Sequence, residues 1–235
     1  MKTKHILFGI FISSAVTSCN SIKGSGNVVT SIRPVQEFSG IISSGSFNMY
    51  LTQSAVQEVK IIADDNVLQY IETNVRDGIL TVTFKDKVHI KNSTRLDIYV
   101  SGPVIEKINL EGSGNIQTTN RLHSNNLVLV LNGSGKMVAE DACETAIVQL
   151  NGSGNITLTG KAKNQTASVS GSGNVNASGF TTENTTASLS GSGSIGLYAT
   201  ESLHASLSGS GSIRYSGNPA SVKKEVSGSG MVESR

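Results

Sequence analysis

The triplet Gly-Ser-Gly begins at Gly112, Gly133, Gly152, Gly171, Gly191, Gly209 and Gly228 of a 235-residue chain. Successive spacings are 21, 19, 19, 20, 18 and 19 residues. A near-constant period of this size restricts the fold more than any other feature. It demands one structural unit per repeat, each packed on the next.

The positions around the triplet say what the unit is. Two residues before it stand Leu110, Leu131, Leu150, Val169, Leu189, Leu207 and Val226. Two residues after it stand Ile116, Met137, Ile156, Val175, Ile195, Ile213 and Val232. Two positions further out on the N-terminal side are Ile108, Leu129, Val148, Ala167, Ala187 and Ala205, where the last repeat has Lys224. On the C-terminal side the matching positions are Thr118, Ala139, Leu158, Ala177, Leu197 and Tyr215. A spacing of two on both flanks means strand, corner, strand. Such a unit cannot bury its own apolar face, so like residues must stack from repeat to repeat. At about 3.3 Å per strand residue, roughly 19 residues suit one closed coil, with neighbouring coils about 4.8 Å apart. A coiling parallel crossover is right-handed. The expected fold is therefore all-β: a right-handed, single-stranded parallel β-helix, or β-solenoid. A narrow interior filled by Leu, Ile, Val and Ala also accounts for the absence of tryptophan. Lys224 is expected to mark the polar end of the stack.

The triplets themselves read as corners. Paired glycines permit backbone angles closed to other residues and let stacked chains approach. The corner pairs are Gly112 and Gly114, Gly133 and Gly135, Gly152 and Gly154, Gly171 and Gly173, Gly191 and Gly193, Gly209 and Gly211, and Gly228 and Gly230. The intervening serine is expected to bond local backbone. Asn115, Asn155 and Asn174 are expected in a side-chain amide stack. Asn132, Asn151, Ser170, Ser190, Ser208 and Ser227 form a second polar column.

Glycine-rich loops also bind phosphates, but a P-loop or dinucleotide loop must open a helix, and here strand patterns follow. Calcium-binding solenoids place aspartate at their corners. The residues after these triplets are Asn115, Lys136, Asn155, Asn174, Ser194, Ser212 and Met231, with no carboxylate among them. No metal site and no cofactor is expected. Glycoside hydrolysis needs paired carboxylates. The densest acidic group of the array, Glu140-Asp141-Glu144, lies in a variable return without a basic partner column and reads as a solvated loop. No catalytic constellation is legible.

Residues 35–105 are also β-rich. Phe47, Met49 and Leu51 alternate with polar residues, as do Leu80, Val82 and Phe84 after a turn at Gly78, and Leu96, Ile98 and Val100. Asp64–Ile71 (DDNVLQYI) is the one plausible short helix. Lys85–Arg95 reads as a polar hairpin or loop.

The first residues carry an address. Lys2 and Lys4 precede the short apolar run Ile6–Ile12, and small residues lead to Val16-Thr17-Ser18-Cys19. This resembles a bacterial lipobox, which implies cleavage before Cys19 and acyl chains on that residue. The expected organisation is a lipoprotein signal peptide over 1–18, a lipidated polar tether over 19–34 and a β-helical domain over 35–235, divided into 35–105 and the repeat array 106–235. Without Lys2 and Lys4, 17 basic and 17 acidic residues remain, which gives no nucleic-acid footprint. With Cys19 acylated, Cys143 has no disulfide partner and reads as a small buried hydrophobe.

Three features together resemble one family: FSGIISSGSFNMYLTQ, VKIIADDNVLQYIETNVRDGILTVTF and the GSGNI-type repeats. The chain is similar, from about Val35 onward, to the putative auto-transporter adhesins with a head GIN domain. That resemblance implies a right-handed β-helix, frequent export as a lipoprotein and no catalytic residues to carry over. The expectation is a non-enzymatic, lipid-anchored envelope protein at the outer membrane, binding a glycan or surface protein and anchored through Cys19. Which membrane face it occupies, and its oligomeric state, stay open. A periplasmic scaffold and a divergent polysaccharide-processing enzyme are the alternatives.

Overall fold

The structure, a computed structural model, describes residues 20–86 and 88–235. The expected signal peptide and Cys19 lie outside the described residues. From Lys107 onward the chain winds as a parallel β-solenoid of about 7 turns. The apolar columns are its registers. Leu110 pairs with Leu131, then Leu150, Val169, Leu189, Leu207 and Val226 follow in one line. Ile116, Met137, Ile156, Val175, Ile195, Ile213 and Val232 form the facing line. All are buried until the last coil, where Val226 is 48% exposed. Burying one such side chain contributes about 1.5–3 kcal/mol, so the stack of like residues supplies most of the driving force. The repeats of 19, 20 and 18 residues between Gly152 and Gly209 stay in register because the return segments shift at Thr157/Thr159, Asn176/Thr181 and Thr182/Asn184.

The solenoid begins earlier than the GSG array. Strand β1 is Asn20–Lys23, β2 is Val28–Arg33, β3 is Gly40–Ser44 and β4 is Asn48–Gln53. Ile41 of β3 pairs with Ile108, and Met49 of β4 with Ile116. Thus β3, a corner at Gly45 and β4 form a coil stacked on the first repeat. The chain then leaves the solenoid to build a cap: β5 (Glu58–Asp64), α1 (Asp65–Leu68), β6 (Ile71–Arg76), β7 (Ile79–Phe84), β8 (Val88–Lys91) and β9 (Leu96–Gly102). On one sheet β7 pairs parallel with β3 and antiparallel with β6. Their turn is Asp77-Gly78, both at positive φ (51° and 71°), as a two-residue hairpin requires. On the other sheet β9 pairs parallel with β4, then β5 and β2 follow antiparallel.

Three expectations for this region need correction. The helix is a single turn, Asp65–Leu68, rather than a run to Ile71. Lys85–Arg95 is no hairpin, because its strand β8 pairs with β1. The tether expected over 19–34 is folded from Asn20 onward, because β1 lies parallel on β8 and β2 lies antiparallel on β5. Ile22 and Ile90 of the β1–β8 ribbon pack onto the core together with Phe84 and Leu96, and the Phe84 ring meets the Phe47 ring at 4.4 Å, tilted by 31°. The ribbon is the lid of the solenoid. Alternation of Ile with Ser, His and Lys was too short a signal to separate it from a polar loop.

Candidate functional site

The corner geometry decides what the triplets can do. The Gly133 carbonyl accepts the N–H groups of Ser153 and Gly154 from the next coil, both at 3.0 Å. The Gly135 carbonyl accepts Asn155 N–H at 3.0 Å. The same pattern recurs at Gly152 with Ser172 and Gly173, and at Gly171 with Ser192 and Gly193. In the triplets beginning at Gly133, Gly152, Gly171, Gly191 and Gly209, the serine and second-glycine amides that a phosphate could use are already donated to the coil before. Space is lacking too: the first glycine of each triplet has positive φ, and a Cβ at Gly133 would overlap the Gly112 carbonyl oxygen. The middle serines Ser134, Ser153, Ser172, Ser192 and Ser210 face solvent, and among the described residues their hydroxyls hold no hydrogen bond. The expected serine-to-backbone bond is therefore absent; the backbone has satisfied itself, and a row of free hydroxyls is left along the corner.

One triplet is different. Gly24-Ser25-Gly26 lies outside the stack, and its groups meet Asp64, Asp65 and Asn66. Gly26 N–H donates to Asp64 Oδ1 at 2.7 Å, Ser25 Oγ to Asp65 Oδ1 at 2.5 Å, and Ser25 N–H to Asn66 Oδ1 at 3.0 Å. Asp64 also accepts Ser93 Oγ and Thr94 N–H, each at 2.8 Å. Burial pushes the Asp64 carboxyl up, but these hydrogen bonds outweigh it and hold it down at about 2.

The outward side of the second sheet carries a polar ladder. From the cap it runs Asp97, Asn48, Asn115, Lys136, Asn155, Asn174, Ser194 and Ser212, one residue per strand. Asn48 Nδ2 donates to Asp97 at 3.2 Å and Asn115 Nδ2 to Asn48 at 2.9 Å. Asn174 Nδ2 donates to Asn155 at 3.0 Å, and Ser194 Oγ to Asn174 at 2.7 Å. The amide stack thus exists in two pieces, separated by Lys136. On the first sheet Asn151 Nδ2 donates to Asn132 at 2.9 Å. At the cap end of the second sheet Tyr50 and Tyr99 stack at 4.9 Å, with Lys60 over Tyr99 at 4.9 Å and Arg95 donating to the Tyr99 hydroxyl at 3.1 Å. At its far end Gly196 leaves a notch of about 250 Å³ between Asn176, Ser178, Ser212 and Arg214. The tyrosine pair was missed in the sequence because its members lie 49 residues apart, and only the register β4–β9 joins them.

The acidic group is only in part the solvated loop expected: Glu140 and Glu144 reach solvent, but Glu140 and Asp141 lie in the strand Lys136–Ala142 and Asp141 is buried. Glu140 accepts Arg121 Nε at 2.7 Å, Glu144 lies 3.7 Å from Lys163, and Asp141 is fully buried and accepts Ser124 Oγ at 2.7 Å. These carboxylates staple coils; they do not converge on a cleft. Cys143 is half-buried; burial and then the Asp141 charge push its thiol up to about 12, so it stays protonated. Among the described residues no cluster of His, Cys, Asp and Glu could hold a metal ion, and no helix is long and apolar enough to cross a membrane.

Residues 37–219 match the family described as "Putative auto-transporter adhesin, head GIN domain". The chain belongs to this family. Solved structures agree over nearly the full length. A putative adhesin from Bacteroides fragilis NCTC 9343 is 28% identical, with a TM-score of 0.88 over 91% of this chain and 100% of its own. A putative adhesin from Parabacteroides merdae ATCC 43184 is 25% identical, with a TM-score of 0.73 over 92% and 99%. A putative lipid binding protein from Parabacteroides distasonis ATCC 8503 shares the fold at 24% identity, with a TM-score of 0.79 over 92% and 100%. No curated protein matches the chain.

Proposed function

We propose that this chain is a non-enzymatic, lipid-anchored adhesin of the cell envelope, acylated at Cys19 at the outer membrane, and that it binds a repeating glycan on the outward side of its second sheet. The ladder from Asn48 to Ser212 carries the reading. Lys136 apart, it sets one amide or hydroxyl per strand at a pitch of about 4.8 Å along the sheet. A surface that repeats at fixed pitch favours a ligand that repeats too, because each added unit meets another rung without new ordering cost. The free serine hydroxyls along the corner extend the same pattern. Family membership supports adhesion, and the stapling role of Glu140, Asp141 and Glu144 supports binding over hydrolysis.

The test is a glycan array probed with the mature chain lacking its acyl chains, followed by an oligosaccharide length series. Affinity is expected to rise with glycan length and to fall in steps when Asn155 and Asn174 are replaced by Ala. Turnover of a polysaccharide would overturn the non-enzymatic reading. Complete protection from external protease on intact cells would remove direct adhesion and leave a periplasmic scaffold.

A further inference from the structure

We infer that the outer side of the β1–β8 ribbon is a contact surface for anionic lipid headgroups, so that the solenoid stands on the bilayer with its N-terminal cap down. The inference rests on acylation of Cys19, and the ribbon supplies the geometry.

Asn20 is in register with Val88, Ser21 with His89, Ile22 with Ile90 and Lys23 with Lys91. Cys19 is therefore one peptide link, about 3.8 Å, from the folded domain. A free tether from 19 to 34 would instead reach roughly 50 Å. The ribbon is held shut from behind. Asn66 Nδ2 donates to Lys23 O at 2.8 Å, Asn27 Nδ2 to Asp65 at 2.9 Å, and Asp65 N–H to Asn27 O at 2.9 Å, beside the Asp64 bonds to Gly26, Ser93 and Thr94. An acyl chain on Cys19 would bring this ribbon against the headgroups.

The ribbon's outer side has the chemistry for that position. Alternation turns Ile22 and Ile90 to the core and leaves Ser21, Lys23, His89 and Lys91 exposed. Lys23 and Lys91 are side by side in register, and exposed Lys85 opens the turn that leads into β8. Within 20–23 and 85–91 the sole carboxylate is Asp86. The carboxylates behind the ribbon, Asp64 and Asp65, are occupied by the clasp. Among the described residues Lys23, Lys85 and Lys91 have no ion-pair partner, so their charges stay available. Unpaired lysines beside a lipid anchor add electrostatic attraction to an anionic leaflet.

Two measurements test this. The mature chain with Cys19→Ser is sedimented with vesicles of phosphatidylcholine alone or with one-third phosphatidylglycerol. Salt-sensitive binding to the anionic vesicles only is expected. Replacing Lys23, Lys85 and Lys91 together with Gln should weaken it on the order of a hundredfold. Equal binding to both vesicle types, or binding to neither, overturns the headgroup contact. Separately, the acylated protein in the anionic vesicles is treated with trypsin and release of the domain by cleavage after Lys23 is followed. Slow release is expected for the native chain, at least several-fold faster release for Asp64→Ala, and an intermediate rate for Ser25→Ala. Native release as fast as that of Asp64→Ala would make the segment a free leash and overturn the proposal. Mass spectrometry of Cys19 reports acylation on its own: a missing acyl mass defeats the lipid anchor, while the sedimentation still reads the ribbon.

Discussion

The Asp64 carboxylate accepts the Gly26 N–H at 2.7 Å across 38 residues of sequence, and that contact ties the start of the chain to the cap. The same side chain stands just before helix α1 but makes no capping bond to it. Its oxygens are spent on Gly26, Ser93 and Thr94.

This carboxylate should confer a defined pH dependence. Its value is about 2 in the fold against 3.8 ordinarily, so folding favours the ionised form. The stabilisation is fully present above about pH 4 and is lost as pH falls through about 2. Hydrogen exchange at Gly26 and Thr94 should accelerate over that window. Asp64→Asn should remove the dependence and cost on the order of 2 kcal/mol at neutral pH. Exchange in the native chain that ignores acid down to pH 2 would contradict the assignment.

Replacing Gly191 and Gly193 together with Val should unfold the stack or lower its stability by more than about 4 kcal/mol. Gly191 has a φ of 125°, and Cβ atoms at the two positions would overlap the carbonyl oxygens of Gly171 and Gly173. Gly26→Ala is the control, since Gly26 has positive φ but no atom within 4 Å of an added Cβ. It should cost only about 1–2 kcal/mol of backbone strain. Similar melting losses in the two variants would mean that strain, and not the close coil contact, fixes the corners.

How much of this was legible follows from distance along the chain. The columns at Leu110 and Ile116 were readable because the same environment returns every 18 to 21 residues. The coil of Ile41 and Met49 escaped because 67 residues separate Gly45 from Gly112, so the period is broken by the inserted cap. The clasp escaped for a different reason. Asp64-Asp65-Asn66 looks like any helix start, and only the fold brings Gly24-Ser25-Gly26 to it. The Tyr50–Tyr99 pair and the Arg121–Glu140 bond likewise depend on register, which no local pattern specifies.

Gln165 offers a test of the interior. It sits in an inward column between Ala146 and Thr185, is 2% exposed, and neither amide atom has a partner among the described residues. An unpaired buried amide costs about 1–3 kcal/mol. Gln165→Met keeps the length and removes the polar atoms, so it should raise stability by roughly 1 kcal/mol. A lower melting temperature in the variant would show that the amide binds an internal water that the substitution expels.

Lys224 should govern what happens at the far end of the solenoid. In the inward column that reads Val148, Ala167, Ala187 and Ala205, the last coil places this lysine over an otherwise uncovered core. Its Nζ donates to Val232 O at 3.1 Å and lies 4.9 Å above the Tyr215 ring. Around it Val222, Val226 and Met231 are 39%, 48% and 50% exposed. A terminal coil also presents unpaired backbone groups, and an inward-pointing charge is a common defence against strand addition there. Lys224→Val removes that defence while restoring the apolar column. Sedimentation should then show concentration-dependent association beyond that of the native chain, with the coil itself no less stable. If the variant associates no more than the native chain at the highest concentrations reached, the lysine serves only to cover Tyr215, and some other feature of the last coil limits its pairing.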